Sequence, residues 1–283
     1  MSQKVITELV CLDAGQNILL DGVVWKPKEN TSKMAIVLFP GTGAEFFNSL
    51  FVFLGPRLAA EGYTTLSLNR RDHGLQFGFH SLADAAKDQG LGINFLVSLG
   101  AEKVILGGHS YGTVTAPFYL FETNDPRVAG MLLYAPLGDL RSASITICGG
   151  IEEYQKILNE AERKVKMGLG MEAFLIPPMV KGGMPLLQTY ENFLDKRGPE
   201  SRAVPIEILK KISGIKILGV RDPADPYPAT LPPSQKKLEA ANSDLEYYLL
   251  NDIRNGEFDA DAHYFKEREE EVLSITLNWL KRI

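Results

Sequence analysis

The sequence predicts an α/β fold: a mostly parallel central sheet with helices on both faces, interrupted once by a helical insertion. Three observations predict it. From residue 34 onward, short apolar runs alternate with helical patterns, and parallel neighbours need such crossovers. Met34–Phe39 and Val128–Tyr134 are apolar without alternation, as strands covered on both faces are. Residues 137–212 then carry helical periodicity with no buried strand among them.

Taken in order, residues 4–12 and 18–25 read as two strands joined by the turn-forming Asp13-Ala14-Gly15, an antiparallel opening. The run Met34-Ala35-Ile36-Val37-Leu38-Phe39 stops at Pro40-Gly41-Thr42-Gly43 and reads as a central strand. Helix 49–61, strand 64–69, helix 84–99 and strand 103–107 follow, then a helix over 114–121 and the second buried strand. Strands 215–220 and 245–250 and a terminal helix from near Lys266, carrying Leu277, Trp279 and Leu280, complete the core. Within the insertion, Ile151, Tyr154, Ile157, Leu158, Ala161 and Val165 recur at helical spacing, an apolar stripe that packs against something. Gly149-Gly150 and Gly182-Gly183 read as hinges or as plain turns. The chain thus divides into a core, 1–136, a cap or lid, 137–212, and the rest of the core, 213–283.

Composition excludes several classes of function. With 45% hydrophobic and 23% charged residues, the 283-residue chain is neither disordered nor fibrous. A formal net charge of -5, with Lys and Arg interleaved among acids, leaves no basic footprint, so no nucleic-acid partner is expected. The opening Met1-Ser2-Gln3-Lys4-Val5 lacks the apolar core of a signal peptide, and no apolar run reaches the roughly 20 residues of a membrane span, so a cytoplasmic location is expected. Cys11 and Cys148 stand far apart without zinc-ligand spacing and read as small buried hydrophobes. No metal-binding spacing occurs, and no glycine-rich dinucleotide motif opens a helix after the first strand, so no cofactor is expected.

The densest chemical signal is Gly108-His109-Ser110-Tyr111-Gly112, a Gly-x-Ser-x-Gly between a buried strand and a helix. A serine there sits on a strained turn with its Oγ above the sheet, and side chains two residues to either side would collide with backbone. Motif and context together resemble the α/β-hydrolase superfamily, and the resemblance covers nearly the whole chain, the cap least. It implies a Ser-Asp-His triad with Ser110 as nucleophile. The family's acid follows a later strand in a pattern similar to Gly-x-x-Asp, matched by Gly219-Val220-Arg221-Asp222. Asp225 competes, but Asp222 lies closer to the strand end and is the expected acid. Of the four histidines, His109 lies inside the elbow and is expected to point elsewhere, His73 occupies a loop without the base in this family, and His80 has no recognisable context. His263, in Asp259-Ala260-Asp261-Ala262-His263-Tyr264-Phe265, resembles the family's histidine loop and is the expected base.

The same resemblance implies an oxyanion hole formed by the backbone N–H groups of Tyr111 and of Thr42, with Phe39-Pro40 departing from the family's usual His. Gly41 and Tyr111 are expected against the substrate; Met167, Met171, Met179 and Met184 would line an adaptable apolar site or pack as plain core. Arg70, Arg71 and Arg221, at strand ends, read as surface ion pairs rather than as substrate contacts. The expected activity is hydrolysis of carboxylic esters or thioesters of small to medium acyl groups through an acyl-enzyme. Amide, lactone or carbon-carbon hydrolysis would use the same residues, and a non-catalytic binding protein of this fold is the reading from another class. The expected partner is a small acyl substrate, and a homodimer through the cap or a sheet edge is compatible with the sequence.

Overall fold

In the computed structural model, which describes residues 5–29, 32–178, 185–227 and 232–283, the predicted alternation becomes an eight-stranded sheet. β1 (Val5–Asp13) and β2 (Leu19–Pro27) pair antiparallel at one edge, and β2 lies antiparallel to β4 (Thr65–Leu68). From β4 onward the sheet is parallel, in the order β4, β3 (Met34–Phe39), β5 (Lys103–His109), β6 (Val128–Tyr134), β9 (Lys216–Arg221), β10 (Leu245–Leu249).

The unbroken apolar strands have the physical reason expected of them. Side chains alternate across a strand, and Ala35, Val37, Phe39, Leu106, Leu133 and Ile217 face α2 (Leu82–Ser98) and α3 (Gly112–Thr123). Ile36, Leu38, Ile105, Leu132, Leu218 and Val220 face α1 (Ser49–Ala60) and the last helix, α8 (Glu269–Leu280), on the other side. Both faces are therefore dry, and burying a Leu or Ile fully on either contributes about 1.5–3 kcal/mol. α2 begins two residues earlier than expected because Ser81 caps it, its hydroxyl accepting from the Asp84 N–H at 3.1 Å.

Between β6 and β9 the insertion holds α4 (Leu140–Ile147), α5 (Ile151–Lys166), α6 (Tyr190–Arg197) and α7 (Pro205–Leu209). It also holds an antiparallel pair that the helical reading lacks, β7 (Ala173–Ile176) and β8 (Leu186–Thr189). Four-residue strands with Leu175 and Leu187 facing outward leave too short a pattern to stand out from the helical stretches around them. The pair is fastened to the core where the Thr189 N–H donates to the Gly78 carbonyl (3.0 Å). A Cβ on Gly78 would lie 2.0 Å from the Leu187 carbonyl oxygen, so only glycine permits this approach. The stripe on α5 buries Tyr154, Leu158 and Ala161, while Ile151 and Val165 at its ends are exposed. Gly149 and Gly150, at φ +91° and +119°, form the joint between α4 and α5; Gly182-Gly183, Met179 and Met184 lie outside the described residues.

The expectation for the cysteines holds at Cys148, which is buried, and fails at Cys11, which an edge strand leaves exposed. Among the described residues no helix is long and apolar enough to cross a membrane, and no cluster of three or more His, Cys, Asp or Glu side chains is arranged to hold a metal.

Candidate active site

The C-terminal ends of β3, β5, β6 and β9 stand level, Phe39 beside Gly108, His109 beside Tyr134, and Tyr134 beside Val220. Loops leaving these ends converge on Ser110. Its φ of +54° is left-handed, a conformation costing a non-glycine residue roughly 1–2 kcal/mol. The surroundings hold it there. The Ser110 N–H donates to the Tyr134 carbonyl (2.9 Å), and the Ser110 carbonyl accepts from both the N–H (2.8 Å) and the hydroxyl (2.5 Å) of Thr113. A Cβ on Gly108 would lie 2.3 Å from the Gly112 backbone, one on Gly112 2.4 Å from the Phe39 carbonyl oxygen, and one on Gly41 2.8 Å from the Ser110 Cβ. Each glycine is thus required by close approach rather than by flexibility.

His263 follows β10 in a short 3₁₀ turn, Ala260–Tyr264, capped by the Asp259 carboxylate. It is 2% exposed, and its Nδ1 lies 2.8 Å from Asp225 Oδ2. The acid on the histidine is therefore Asp225 and not Asp222, which corrects the sequence expectation. The loop turns between the two. Asp222 Oδ1 accepts from the Ala224 N–H (2.9 Å), and its other oxygen faces Arg254 (3.3 Å) and Arg268 (3.6 Å). Asp225, three residues further on, is fully buried and accepts from the Tyr227 N–H (3.0 Å). Burial pushes the Asp225 carboxyl up, but the His263 charge, the hydrogen bonds from His263 and the Tyr227 N–H, and Arg221 together outweigh it and hold the group below the usual aspartate range. Burial raises Asp222, which Ala224, Arg268 and Arg254 only partly offset.

His109 does not point away from the site. Its Nε2 lies 2.7 Å from the His263 carbonyl oxygen, and the two rings pack at 4.6 Å. Complete burial, and then the nearby His263 charge, lower its pKa to about 3, so it is neutral and donates through Nε2–H. One residue before the serine thus tethers the histidine loop. Ser110 Oγ makes no hydrogen bond to the His263 ring, a contact that commonly tightens only once substrate is bound. His73 is engaged with Glu45, its Nδ1 3.0 Å from Oε1, and His80 is half-buried away from the cluster.

Ser110, Tyr111 and Thr42 border a narrow slot with Phe77, Leu137, Leu140, Ala143, Ile147, Arg197 and Tyr227. It holds ≈ 20 Å³, room for about one water. Neither the Tyr111 nor the Thr42 N–H meets a protein acceptor among the described residues, so both donors stay available beside the serine. The Tyr227 ring lies 4.0 Å from that of His263 and links slot and histidine. The apolar wall comes from α4 and the loop before it, while Met167 and Met171 are exposed and do not line the slot.

The strand-end arginines are not surface pairs. Arg70 is fully buried, bonded to Asp72 (2.8 Å) and, through Nη1, to the Pro40 carbonyl, which steadies the Gly41-Thr42 loop. Arg221 is buried against Gln235 (2.7 Å), and Arg71 binds the buried Asp88 (2.8 Å). Arg197 and the α4 side chains were invisible in the sequence, because nothing local marks a residue of an insertion as folding back over a distant elbow, and Tyr227 was invisible because only the turn of the loop after β9 brings its ring onto His263.

A search of curated protein sequences finds no match. Among solved structures, DcsB in complex with its substrate analogue is similar at a TM-score of 0.72 and 17% identity, covering 98% of this chain and 99% of that one. Est1E from Butyrivibrio proteoclasticus, with ferulic acid bound, gives 0.71 and 13%, over 96% and 98%. An esterase from Pyrococcus furiosus gives 0.62 and 15%, over 98% and 91%. At such identities the likeness carries the fold. The profile of the alpha/beta hydrolase family matches residues 36–250, from within β3 to the end of β10. Sheet order, serine elbow and this match agree, and the chain belongs to the alpha/beta hydrolase family.

Proposed function

We propose that the chain is a serine hydrolase cleaving carboxylic esters or thioesters of small to medium acyl groups, with Ser110 as nucleophile, His263 as general base and Asp225 as the acid that orients it. The observation that carries this reading is the left-handed Ser110 at φ +54°, beside a buried His263 whose Nδ1 is held at 2.8 Å by Asp225. Strain of this kind persists only where surrounding structure enforces it, as the three glycines and the Tyr134 carbonyl do here.

In the proposed reaction, His263 Nε2 takes the hydroxyl proton as Ser110 Oγ attacks the acyl carbon. Asp225 keeps the other proton on Nδ1 and stabilises the imidazolium. The N–H groups of Tyr111 and Thr42 receive the oxyanion. Collapse expels the alcohol or thiol, which takes the proton from His263. A water molecule, deprotonated by the same histidine, then releases the acid and restores the serine. Segment 137–212 acts as the cap, since its α4 supplies the slot's apolar wall. The test is labelling with a fluorophosphonate, located by peptide mass spectrometry, alongside turnover of nitrophenyl esters by wild type and Ser110→Ala. Labelling at Ser110 alone, with turnover lost in the variant, is the expected result; an inert Ser110 would overturn the reading.

A further inference from the structure

Arg197 ends α6 and is 2% exposed, yet it borders the slot beside Ser110. Its carbonyl accepts from the Tyr154 hydroxyl (2.7 Å), which leaves the side chain as its contribution to the slot. That side chain makes a single hydrogen bond, Nη1 to Ser144 Oγ at 2.9 Å, and the Ser144 hydroxyl in turn donates to the Leu140 carbonyl (2.6 Å). Nε is buried without a partner. Among the described residues no carboxylate lies within ion-pair distance of Arg197, and the groups that favour its charge are a thiol, Cys148, and two phenols, Tyr111 and Tyr154.

The other buried arginines each have a carboxylate acting on them, although Arg70 Nη2 and Arg221 Nε and Nη2 also lack partners among the described residues. Arg70 contacts Asp72, Arg268 contacts Glu271 and Asp222, and Arg221 lies within reach of the Asp225 charge. Burying a cation against neutral groups alone is strongly unfavourable, because the hydration it loses is not replaced. Behind Tyr111, the buried Lys196 and Arg70 both meet the buried Asp72, and Asp195 also acts on Lys196, so three cations, Arg197 included, face two acids. The Tyr111 hydroxyl, fully buried, also has no hydrogen-bond partner among the described residues. Two residues that line one slot, Arg197 and Tyr111, thus each carry a buried polar atom without a partner among the described residues, and the guanidinium lacks a negative charge.

We propose that Arg197, with the Tyr111 hydroxyl, forms a carboxylate-recognising subsite, so that the substrate is an ester or thioester whose chain in the slot carries a second, free carboxylate. The guanidinium fork matches a carboxylate in geometry and charge. Leu137, Leu140, Ala143 and Ile147 take the methylenes between the carboxylate and the scissile carbonyl. Because the slot as it stands has room for about one water, these side chains repack around the chain, and chain length sets how well the carboxylate reaches Arg197. The substrate assignment rests on the serine-hydrolase reading; the ligand class does not.

The test compares kcat/KM for the 4-nitrophenyl hemiesters of adipic and suberic acids with that for a neutral ester of matched shape, 4-nitrophenyl 6-methylheptanoate. Wild type is expected to favour the better charged ester at least tenfold. Arg197→Met should lower that ratio at least thirtyfold, and Arg197→Lys should recover part of it. Fluorophosphonate labelling of Ser110 is run on every variant. If Ser110 labels and neutral esters turn over, but wild type shows no preference or Arg197→Met keeps it, the subsite is overturned while the hydrolase reading stands. If Ser110 is inert, titration calorimetry with adipate and suberate decides the subsite alone: heat with wild type that is absent from Arg197→Met upholds it, and no heat with wild type overturns it.

Discussion

Asp222 and Asp225 share one loop, and Asp225 is the one whose carboxylate meets the His263 ring. Asp225→Asn is therefore expected to lower kcat by roughly 10³–10⁴-fold, since the amide holds the wrong imidazole tautomer. Asp222→Asn should keep turnover within tenfold but lose roughly 3 kcal/mol of stability, as Arg254 and Arg268 lose a buried counter-charge. Urea titrations and steady-state kinetics on the pair separate the two roles. The Asp225 carboxyl is held below its usual range, so its contribution to stability is complete above the unfolded aspartate value near ~3.9 and disappears as pH falls through the lower folded value. Asp225→Asn should flatten that acid limb. Arg197 behaves oppositely, because a buried cation without an acid destabilises the resting fold. Arg197→Met is expected to raise Tm, read by calorimetric scanning, while losing selectivity.

At the scale of elements, the strand–serine–helix turn works because two backbones touch where side chains would stand. Gly108→Ala would drive a Cβ to 2.3 Å from the Gly112 backbone, and the turn has no flexible neighbour to yield. The expected outcome is loss of phosphonate labelling with the sheet retained, checked by circular dichroism. Gly78 plays the equivalent part for the insertion, since a Cβ there would press on the Leu187 carbonyl and part β8 from the core. Gly78→Ala should open residues 140–200 to limited proteolysis while the core stays protected. A mutant core as accessible as its insertion would contradict that separation.

For the molecule as a whole, the sheet's two dry faces carry the fold, and one ionisable group beneath the site works against it. Lys196 is fully buried, and burial above all lowers its pKa to about 8, with Asp72 and Asp195 opposing and Arg70 assisting. Between that value and the unfolded ~10.4 the unfolded chain binds the extra proton, so stability from this group rises with pH across the interval, by roughly 3 kcal/mol in all. The difference between wild type and Lys196→Met in urea unfolding at pH 7 through 10 isolates it. The gap should favour Lys196→Met at pH 7 and shrink toward pH 10; a gap independent of pH would refute the buried-charge account.

Strands such as Met34–Phe39 and Val128–Tyr134 were legible to the residue because double-sided burial demands unbroken apolar runs, and the elbow was legible because its glycines and serine stand together in five consecutive residues, although Gly112 is required by a contact as distant in sequence as Phe39. The β7–β8 pair was not, since four residues are too few for a period to declare itself. The sequence by itself determined the α/β class and the strand–serine–helix turn, both properties of local pattern, while His263 was singled out only by the family resemblance of its loop. Only the tertiary structure decided that Asp225 rather than Asp222 meets His263, that His109 tethers its loop, and that Arg197 borders the slot without a counter-ion among the described residues. Each of these depends on where a loop turns in space, and such turns are set by long-range packing that no neighbouring residue records.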